Sequence, residues 1–427
     1  MRIGLYLQDY RQCNKATFNK AVSAAKRAAI DLLVFPENCY TPYQKDYYFE
    51  DILQESSINA VFGKTSHISR DAGCAVILGG TDSFGMIYSV FANAYSGDNE
   101  QQNALYLKHT MADDSPLALD DYLELAEHIF QPVLLKGKRL GMTICYDCNH
   151  SAFSRAYCKN GLDILINTTG GNVVYEKWYR YNKVRAIENK CFNFCTMGYE
   201  NNGKENSYVF GFTPNGKLME HRLLLPGKEI GNIAVYDSDS DDLEYEDDIH
   251  FEQRETISKD GDYFINVNKI DELLLSAKKI ENNVCVLKTP KHNLIVCTVE
   301  GSGILAPECV LRLLYNQKLR DIPNKAYLIV NRWSGVEPDY FRTILSDVLR
   351  VRAMENFCAV LFISGSTTKC YQCSRNKASQ VVASINGGYT LALTRMGGPE
   401  SIWKNKLGMR GTWRKGYEQL IDYIAHE

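Results

Sequence analysis

The chain has 427 residues, of which 45% are hydrophobic and 23% charged, and its formal net charge is -3. This ordinary composition excludes collagen-like, disordered and small disulfide-scaffold proteins, and the near-neutral charge gives no general argument for a nucleic-acid or membrane-surface protein. No apolar run approaches the roughly 20 residues that span a bilayer, and residues 1–13 alternate like a strand rather than forming a signal-peptide core. We therefore expect a cytoplasmic protein, not membrane-bound, whose 14 cysteines are reduced.

The first half of the chain alternates predicted strands and helices, which is typical of an α/β fold. A strand is predicted at 3–7, and Asn14 can cap a helix that runs to Ala29 with one apolar side. The apolar run 32–35 stops at Pro36, as expected of a buried strand. Further strands are predicted at 75–79, 87–95, 104–108, 140–145, 162–167, 192–197 and 209–212, and further helices at 151–159 and 178–190.

Three reactive side chains share one placement, because Glu37, Lys108 and Cys145 each stand at the carboxyl end of a predicted strand. Ligands of open α/β sheets collect at that edge. If the three strands are neighbours, a thiol, a carboxylate and an ammonium meet in one pocket, which is a set suited to acyl transfer. Cys145 also precedes a predicted helix, whose N-terminus would favour the thiolate.

The segments around these residues resemble the three signature segments of the carbon–nitrogen hydrolase (nitrilase) superfamily. They are Phe35-Pro-Glu-Asn-Cys-Tyr-Thr-Pro42, Tyr106-Leu-Lys-His109 and Gly141-Met-Thr-Ile-Cys-Tyr-Asp147, in the order and at separations comparable to those of the family. The similarity continues to Pro214-Asn-Gly216 and covers about residues 1–237, a little over half the chain. It implies an α-β-β-α sandwich and a hydrolase without a cofactor or metal.

The resemblance also implies roles for the residues. Glu37 would be the general base, Cys145 the nucleophile that forms a thioester, and Lys108 the group that stabilises the tetrahedral intermediate together with the backbone N–H of Tyr146. The second carboxylate of many members would be Glu124. Glu127 is the alternative, because the spacing does not decide between them.

Substrate contacts are predicted for Tyr146, Asn167 and His150, although a buried loop histidine without a substrate role is the alternative for His150. Asp147 is assigned to structure beside the nucleophile rather than to proton transfer. The sequence departs from the family after Cys145, because residues 148–153 replace the aromatic-Pro-Glu of many members. That departure leaves the substrate class open. Because most members of the family are amidases in the broad sense, the resemblance implies a small-molecule amide or carbamoyl substrate rather than a nitrile. The alternatives are an inactive interaction scaffold and an effector whose basic tail binds nucleic acid.

The second half of the chain repeats part of the first. Val-Arg-Ala-x-Glu-Asn occurs at 184–189 and again at 351–356, and segment 280–395 parallels segment 130–215, with Thr298 or Val299 falling opposite Cys145. Between the halves, eight of the twelve residues at 237–248 are acidic, as in a solvated linker. The predicted domains are therefore a catalytic domain at 1–237, an acidic linker at 238–262 and a degenerate half-domain at 263–427.

Two further patterns compete with this interpretation. Cys145 with Cys148 and Cys370 with Cys373 form C-x-x-C pairs, but their separation argues against a shared zinc site, and a redox role of the second pair stays open. Residues 403–415 are basic and contain two tryptophans. We interpret that tail as a solvated surface and do not expect nucleic-acid binding. A homo-oligomer is possible, because the family's sandwich commonly pairs across one helical face.

Overall fold

The chain divides into two compact units, Met1–Ile249 and His250–Glu427, and each is described by itself. The computed structural model describes residues 1–7, 15–37, 39, 58–81, 87–94, 103–110, 130–170, 173–198, 209–224, 232–239, 245–246, 248–249, 251, 255–256, 261–334, 339–365, 367–374, 379–399, 401 and 411–425. Within that part of the chain no helix is both long and apolar enough to cross a bilayer.

The first unit alternates strands and helices as predicted. Its strands are β1 (Arg2–Leu7), β2 (Leu32–Val34), β3 (Ala75–Thr81), β4 (Ile87–Ala92), β5 (Asn103–Leu107), β6 (Val133–Leu135), β7 (Lys138–Ile144), β8 (Ile164–Thr169), β9 (Phe192–Met197), β10 (Val209–Phe212), β11 (Arg222–Leu223) and β12 (Asn232–Asp237). Its helices are α1 (Lys15–Arg27), α2 (Ile58–Ala72), α3 (Ser151–Lys159) and α4 (Tyr175–Asn189), and a 3-10 turn, Cys145–Asn149, follows β7.

These strands form two sheets, in the orders β11-β12-β1-β2-β3-β4-β5 and β10-β9-β8-β7-β6. The sheets face each other, because the Thr196 hydroxyl on β9 donates to the Tyr6 carbonyl on β1 at 2.7 Å and the hydroxyls of Ser89 and Thr168 lie 3.2 Å apart. Helices α1 and α2 pack on the outer face of the first sheet, and α3 and α4 pack on the second. The predicted α/β class and the α-β-β-α sandwich are confirmed for this unit.

The second unit is built on one larger sheet. Its strands are β13 (Glu255–Thr256), β14 (Tyr263–Asn266), β15 (Lys278–Glu281), β16 (Val284–Lys288), β17 (Asn293–Glu300), β18 (Lys325–Trp333), β19 (Ala359–Ser364), β20 (Thr367–Gln372), β21 (Gln380–Val382), β22 (Ser384–Ile385) and β23 (Gly388–Leu391). Its helices are α5 (Ile270–Ser276), α6 (Pro307–Leu314), α7 (Asp339–Glu355) and α8 (Gly411–Ala425). The eight-stranded sheet has the order β13-β21-β20-β19-β18-β17-β16-β15, and β14-β23-β22 form a smaller one.

The centre of that sheet matches the second sheet of the first unit strand for strand. The order β20-β19-β18-β17-β16 corresponds to β10-β9-β8-β7-β6, with parallel pairs at the same two positions. Each unit then runs strand, 3-10 turn, helix, strand, helix, strand, and the second unit has a further 3-10 turn, Gln317–Leu319, before β18. The pairing register matches too, because Thr143 lies opposite Asn167 across β7 and β8 while Val299 lies opposite Asn331 across β17 and β18.

This register places Gly301 where the first unit has Cys145, since each comes two residues after the matched pair. Cys145 has φ +48° and Gly301 has φ +47°, so both 3-10 turns begin in the left-handed region. The prediction that Thr298 or Val299 falls opposite Cys145 is therefore wrong by two or three residues. The sequence prediction aligned the two strands by their residue types, whereas the shared backbone angle of the two turns aligns Gly301 with Cys145.

A buried arginine braces this turn in both units. The Arg185 guanidinium donates to the Cys148 carbonyl at 2.8 Å and pairs with Glu188. In the second unit Arg352 donates to the Ile304 carbonyl at 2.9 Å and pairs with Glu355 at 2.6 Å. In each unit the arginine of the Arg-Ala-x-Glu-Asn sequence thus links its helix, α4 or α7, to the 3-10 turn that follows β7 or β17.

The acidic segment is not simply solvated. Asp239 lies 3.6 Å from the Lys138 ammonium, Glu246 lies 3.0 Å from the His221 ring, and Asp248 pairs with Lys183 of α4. All three contacts lie within the first unit, because basic residues there offer partners that the sequence alone did not reveal. Residues 402–410 of the basic tail lie outside the described residues.

Candidate active site

The carboxyl ends of β2, β5 and β7 bring the three predicted catalytic residues together, although these strands are not neighbours in one sheet. β3 and β4 separate β2 from β5, and β7 belongs to the facing sheet. Because β3, β4 and β5 pair antiparallel in succession, β5 runs in the direction of β2 and ends at the same edge. The predicted convergence is thus real, but the meeting of two sheets produces it.

Glu37 and Lys108 form a buried ion pair at this edge. The Lys108 ammonium donates to Glu37 Oε1 at 2.7 Å, and only 1% and 3% of the two side chains are exposed. Glu37 Oε2 accepts a second hydrogen bond, from the backbone N–H of Gly170 at 2.7 Å. A Cβ atom at residue 170 would lie 3.0 Å from Oε2, so glycine leaves the space that this carboxylate needs. Both carboxylate oxygens are therefore fixed in place.

The Cys145 thiol is hydrogen bonded to Glu37, and 7% of the residue is exposed. Burial raises the pKa of the Cys145 thiol well above its ordinary value, the Glu37 charge raises it further, and the Lys108 charge opposes them. Burial and the Glu37 charge thus act against the thiolate that the sequence favoured, and the helix predicted after Cys145 begins only at Ser151, beyond the 3-10 turn. Cys145 rests as a thiol beside a carboxylate that can take its proton.

The residues around Tyr146 form a polar and aromatic wall next to Cys145. Tyr146 packs against His150 and Trp178, with ring centroids 5.7 and 6.3 Å away, and the Lys177 ammonium lies 5.8 Å from the Tyr146 ring. Burial raises the pKa of the Tyr146 hydroxyl to about 12, so that hydroxyl stays protonated. Substrate contacts of Tyr146 and His150 stay predictions, and their placement beside the nucleophile is compatible with them.

The structure describes the predicted site residue Asn167 but not the predicted second carboxylate. Asn167 is fully buried, donates to the Asn182 side chain at 3.3 Å and is hydrogen bonded to the Cys148 thiol. These contacts place Asn167 on the α4 side of β8, behind the turn, and its role in substrate binding stays a prediction. Glu124 and Glu127 lie outside the described residues.

Asp147 connects the Cys145 turn to the end of β5. Its carboxylate accepts hydrogen bonds from the Tyr106 hydroxyl at 2.9 Å and from the backbone N–H and hydroxyl of Thr110 at 2.8 and 2.6 Å. The residue is fully buried, and desolvation raises the pKa of its carboxyl to about 6. These contacts favour the structural role predicted for Asp147.

His109 sits in an aromatic cluster beside this network. Its ring stacks on Phe153 with centroids 5.1 Å apart and lies 4.9 Å from Tyr106 and 5.4 Å from Phe130. Burial lowers the pKa of His109 to about 3. The imidazole therefore stays neutral in the folded protein at pH values where the unfolded chain is protonated.

We expect His109 to make the first unit acid-sensitive. As pH falls from about 6.5 towards 3, the unfolded state takes up a proton that folded His109 refuses, so stability falls by up to about 1.4 kcal/mol per pH unit. Asp147 acts in the opposite direction between about 6 and 3.8, so the comparison is made against His109→Phe, which retains Asp147. Urea unfolding at pH 7, 6 and 5 should show a steeper loss in the wild type, and equal slopes would contradict the assignment.

Metal binding and disulfide formation are described for this part of the chain alone. In that part of the chain no group of three or more His, Cys, Asp or Glu side chains is arranged to hold a metal ion. None of its 13 cysteines forms a disulfide. The Cys373 thiol donates to the Arg395 carbonyl at 3.0 Å, while Cys370 lies in the core of the second unit.

Sequence reasoning missed the supporting groups of the site. Gly170 acts through its backbone N–H, which has no side-chain signature, although a Gly-Gly dipeptide after a predicted strand is a sequence signal for a turn. Trp178 was predicted only as the first residue of a helix at 178–190, and Lys177 was not assigned to any element. That helix begins at Tyr175 and brings both side chains against Tyr146.

Comparisons with known proteins give one family model and a set of similar solved structures. The sequence model described as carbon–nitrogen hydrolase matches residues 11–213. Similar solved structures include an amidase from Nesterenkonia sp. AN1, at 19% identity and a TM-score of 0.42 over 55% of this chain and 90% of that one. A carbon–nitrogen hydrolase from Helicobacter pylori G27 has 16% identity and a TM-score of 0.38 over 55% and 88%. No curated protein matches the sequence.

Proposed function

Residues 11–213 match the carbon–nitrogen hydrolase family model, and on that premise we propose that the protein hydrolyses a non-peptide C–N bond through a Cys145 thioester. The proposed substrate is a small molecule with an amide or carbamoyl group rather than a nitrile. The observation that carries the proposal is the position of Glu37, which contacts Lys108 and the Cys145 thiol in one buried site. The cytoplasm is the proposed location.

Acylation would begin with a proton transfer. Glu37 takes the proton of the Cys145 thiol as sulfur attacks the carbonyl carbon, and the C=O π electrons move to oxygen. The Lys108 ammonium and the backbone N–H of Tyr146 stabilise that oxyanion. As the intermediate collapses, the C–N bond breaks, Glu37 returns the proton to nitrogen, and the amine or ammonia leaves a thioester behind.

Deacylation would use the same carboxylate. Glu37 removes a proton from a water molecule, whose oxygen attacks the thioester carbon, and the second tetrahedral intermediate forms against the same donors. The C–S bond then breaks, and the proton held by Glu37 returns to the Cys145 sulfur. One amide and one water thus give one acid and one amine, and the site is regenerated.

Ammonia release from a panel of short aliphatic amides, carbamoyl compounds and nitriles tests the proposal. Turnover of an amide or carbamoyl compound by the wild type, lost in Glu37→Gln, is the expected result. Turnover of nitriles alone would overturn the substrate class. Absence of turnover together with an unreactive Cys145 would favour the second candidate, an interaction protein on an inactive scaffold.

The second candidate is favoured by the strand arrangement of the C-terminal unit and by the glycine at the position equivalent to Cys145. We propose that this unit is a degenerate copy of segment 130–215 that contributes packing or a docking surface rather than chemistry. The matching strand order and register support the repeat, and Gly301 at the position of Cys145 supports the loss of catalysis. An inactive first unit would extend that loss to the whole chain.

If the second unit takes no part in catalysis, we expect the Arg352–Glu355 pair to affect stability and not turnover. Arg352→Met removes the guanidinium that pairs with the buried Glu355 carboxylate, and breaking a buried ion pair is expected to cost the second unit about 3–5 kcal/mol. At 25 °C, kcat should stay within about twofold of the wild type. Hydrogen exchange of peptides from β17 and β18 reports the stability, and a large loss of kcat in protein that remains folded would show that this unit serves the reaction.

A further inference from the structure

We propose that Asp147 is a positioning residue, which locks the end of β5 that carries Lys108 onto the turn that carries Cys145. The inference rests on the proposed function, because it assigns Asp147 to the geometry of that reaction. Asp147 stands two residues after Cys145. Tyr106 and Thr110 lie on either side of Lys108 at the carboxyl end of β5, which belongs to the facing sheet. The Asp147 carboxylate therefore links the two backbone segments whose side chains must meet.

The carboxylate is engaged on both oxygens. Oδ1 accepts from the Thr110 backbone and hydroxyl, and Oδ2 accepts from the Tyr106 hydroxyl. The His109 N–H lies 3.2 and 3.4 Å from the two oxygens, and the Ile144 N–H lies 3.4 Å from Oδ2. Every described partner is a donor. An ionised carboxylate accepts all of these bonds, while a protonated acid or an amide turns one acceptor position into a donor that faces other donors.

The second unit shows which parts of this turn serve the fold alone. It keeps the left-handed start of the 3-10 turn at Gly301 and the Arg352 brace on the Ile304 carbonyl. In the same register Asp147 corresponds to Gly303, which has no side chain to accept a hydrogen bond. The turn therefore forms without this carboxylate. The Asp147 network accompanies the Cys145 and Lys108 pair, not the turn itself.

The charge of Asp147 also gives the network a pH limit. Desolvation raises the pKa of Asp147 to about 6 against the lowering effects of Lys108 and of its donors Thr110, Tyr106 and His109. From neighbouring elements, the His109 ring stays neutral to about pH 3, and burial raises the pKa values of Cys145, Cys148 and Tyr157. Protonation of Asp147 near pH 6 would thus weaken its hydrogen bonds to the end of β5, while these neighbours keep their protonation states.

Asp147→Asn tests the proposal with p-nitrophenyl acetate as the acyl donor, since p-nitrophenolate release does not require the natural substrate. Because a displacement of about 1 Å can cost about 100-fold in rate, we expect kcat to fall about 100-fold with KM within threefold of the wild type. Asp71→Asn on α2 is the matched surface control and should keep wild-type kcat. Tyr106→Phe removes one hydrogen bond and should lower kcat about fivefold, which keeps a test available if Asp147→Asn does not fold.

The pH profile separates positioning from a general loss of stability. The wild type should lose kcat below about pH 6, and Asp147→Asn should lack that inflection while its thermal unfolding stays cooperative. Wild-type kcat in Asp147→Asn, or wild-type kcat in Tyr106→Phe where Asp147→Asn is unfolded, would overturn the positioning role. Background release is measured with Cys145→Ala. Undiminished release in that variant would instead overturn the proposed function, so the two failures are distinguishable.

Discussion

Replacing Cys145 with alanine is expected to abolish turnover without unfolding the protein. The proposed thioester has no other nucleophile, and removal of the attacking group in enzymes of this type costs at least about 10⁴-fold in kcat. The fold should persist, because alanine occupies φ +48° at a steric cost similar to that of cysteine and leaves the Glu37–Lys108 pair intact. Ammonia release and circular dichroism measure the two effects.

The matched control for this variant is a second cysteine in the same chain. Cys309 is exposed and lies on α6 of the second unit, so Cys309→Ser should retain wild-type turnover. Equal activity of Cys145→Ala and wild type would exclude the thioester route. A parallel loss in Cys309→Ser would indicate that the assay reports general damage to thiols rather than the nucleophile.

Lys108→Met is expected to lower both activity and stability. It removes the cation that stabilises the oxyanion, which typically costs about 10²–10³-fold in kcat. It also removes the cation that pairs with the buried Glu37 carboxylate, and breaking a buried ion pair in this way costs about 3–5 kcal/mol. Steady-state kinetics and hydrogen exchange of peptides from β5 and β7 measure the two losses. Unchanged protection of both strands would contradict the buried pair.

A double-mutant cycle distinguishes the pair from two independent residues. Glu37→Gln alone leaves the Lys108 charge buried, whereas Glu37→Gln with Lys108→Met removes both charges. The double variant should therefore be destabilised less than the sum of the single variants, by about 1–3 kcal/mol, while it remains inactive. Strict additivity of the stability losses would show that the two charges do not interact.

The fold of the first unit could be predicted from sequence because its elements carry strong local patterns. The predicted strands at 192–197 and 209–212 coincide with β9 and β10, and the helix predicted at 151–159 coincides with α3. The sheet neighbours could not be predicted, since pairing is decided between distant segments. The sequence therefore suggested one edge shared by adjacent strands, whereas two facing sheets bring Glu37, Lys108 and Cys145 together.

The site was predictable where a side chain has a recognisable place in a motif, and not where the backbone or burial decides. The sequence around Gly170 does not indicate that its backbone N–H donates a hydrogen bond to Glu37. The sequence shows a helix after Cys145 but not the burial around the thiol, which raises its pKa. Similarly, the sequence did not indicate Gly301 as the position equivalent to Cys145, because the two residues share a backbone angle rather than a side chain.

The most direct test of the central claim is to locate the covalent intermediate. Wild-type protein is mixed with p-nitrophenyl acetate and acid-quenched, and its peptides are mapped by mass spectrometry with and without hydroxylamine. We predict an acetyl group on the peptide that contains Cys145, removed by hydroxylamine and absent from Cys145→Ala. Acetylation confined to other residues, or none during measurable turnover, would contradict a Cys145 thioester.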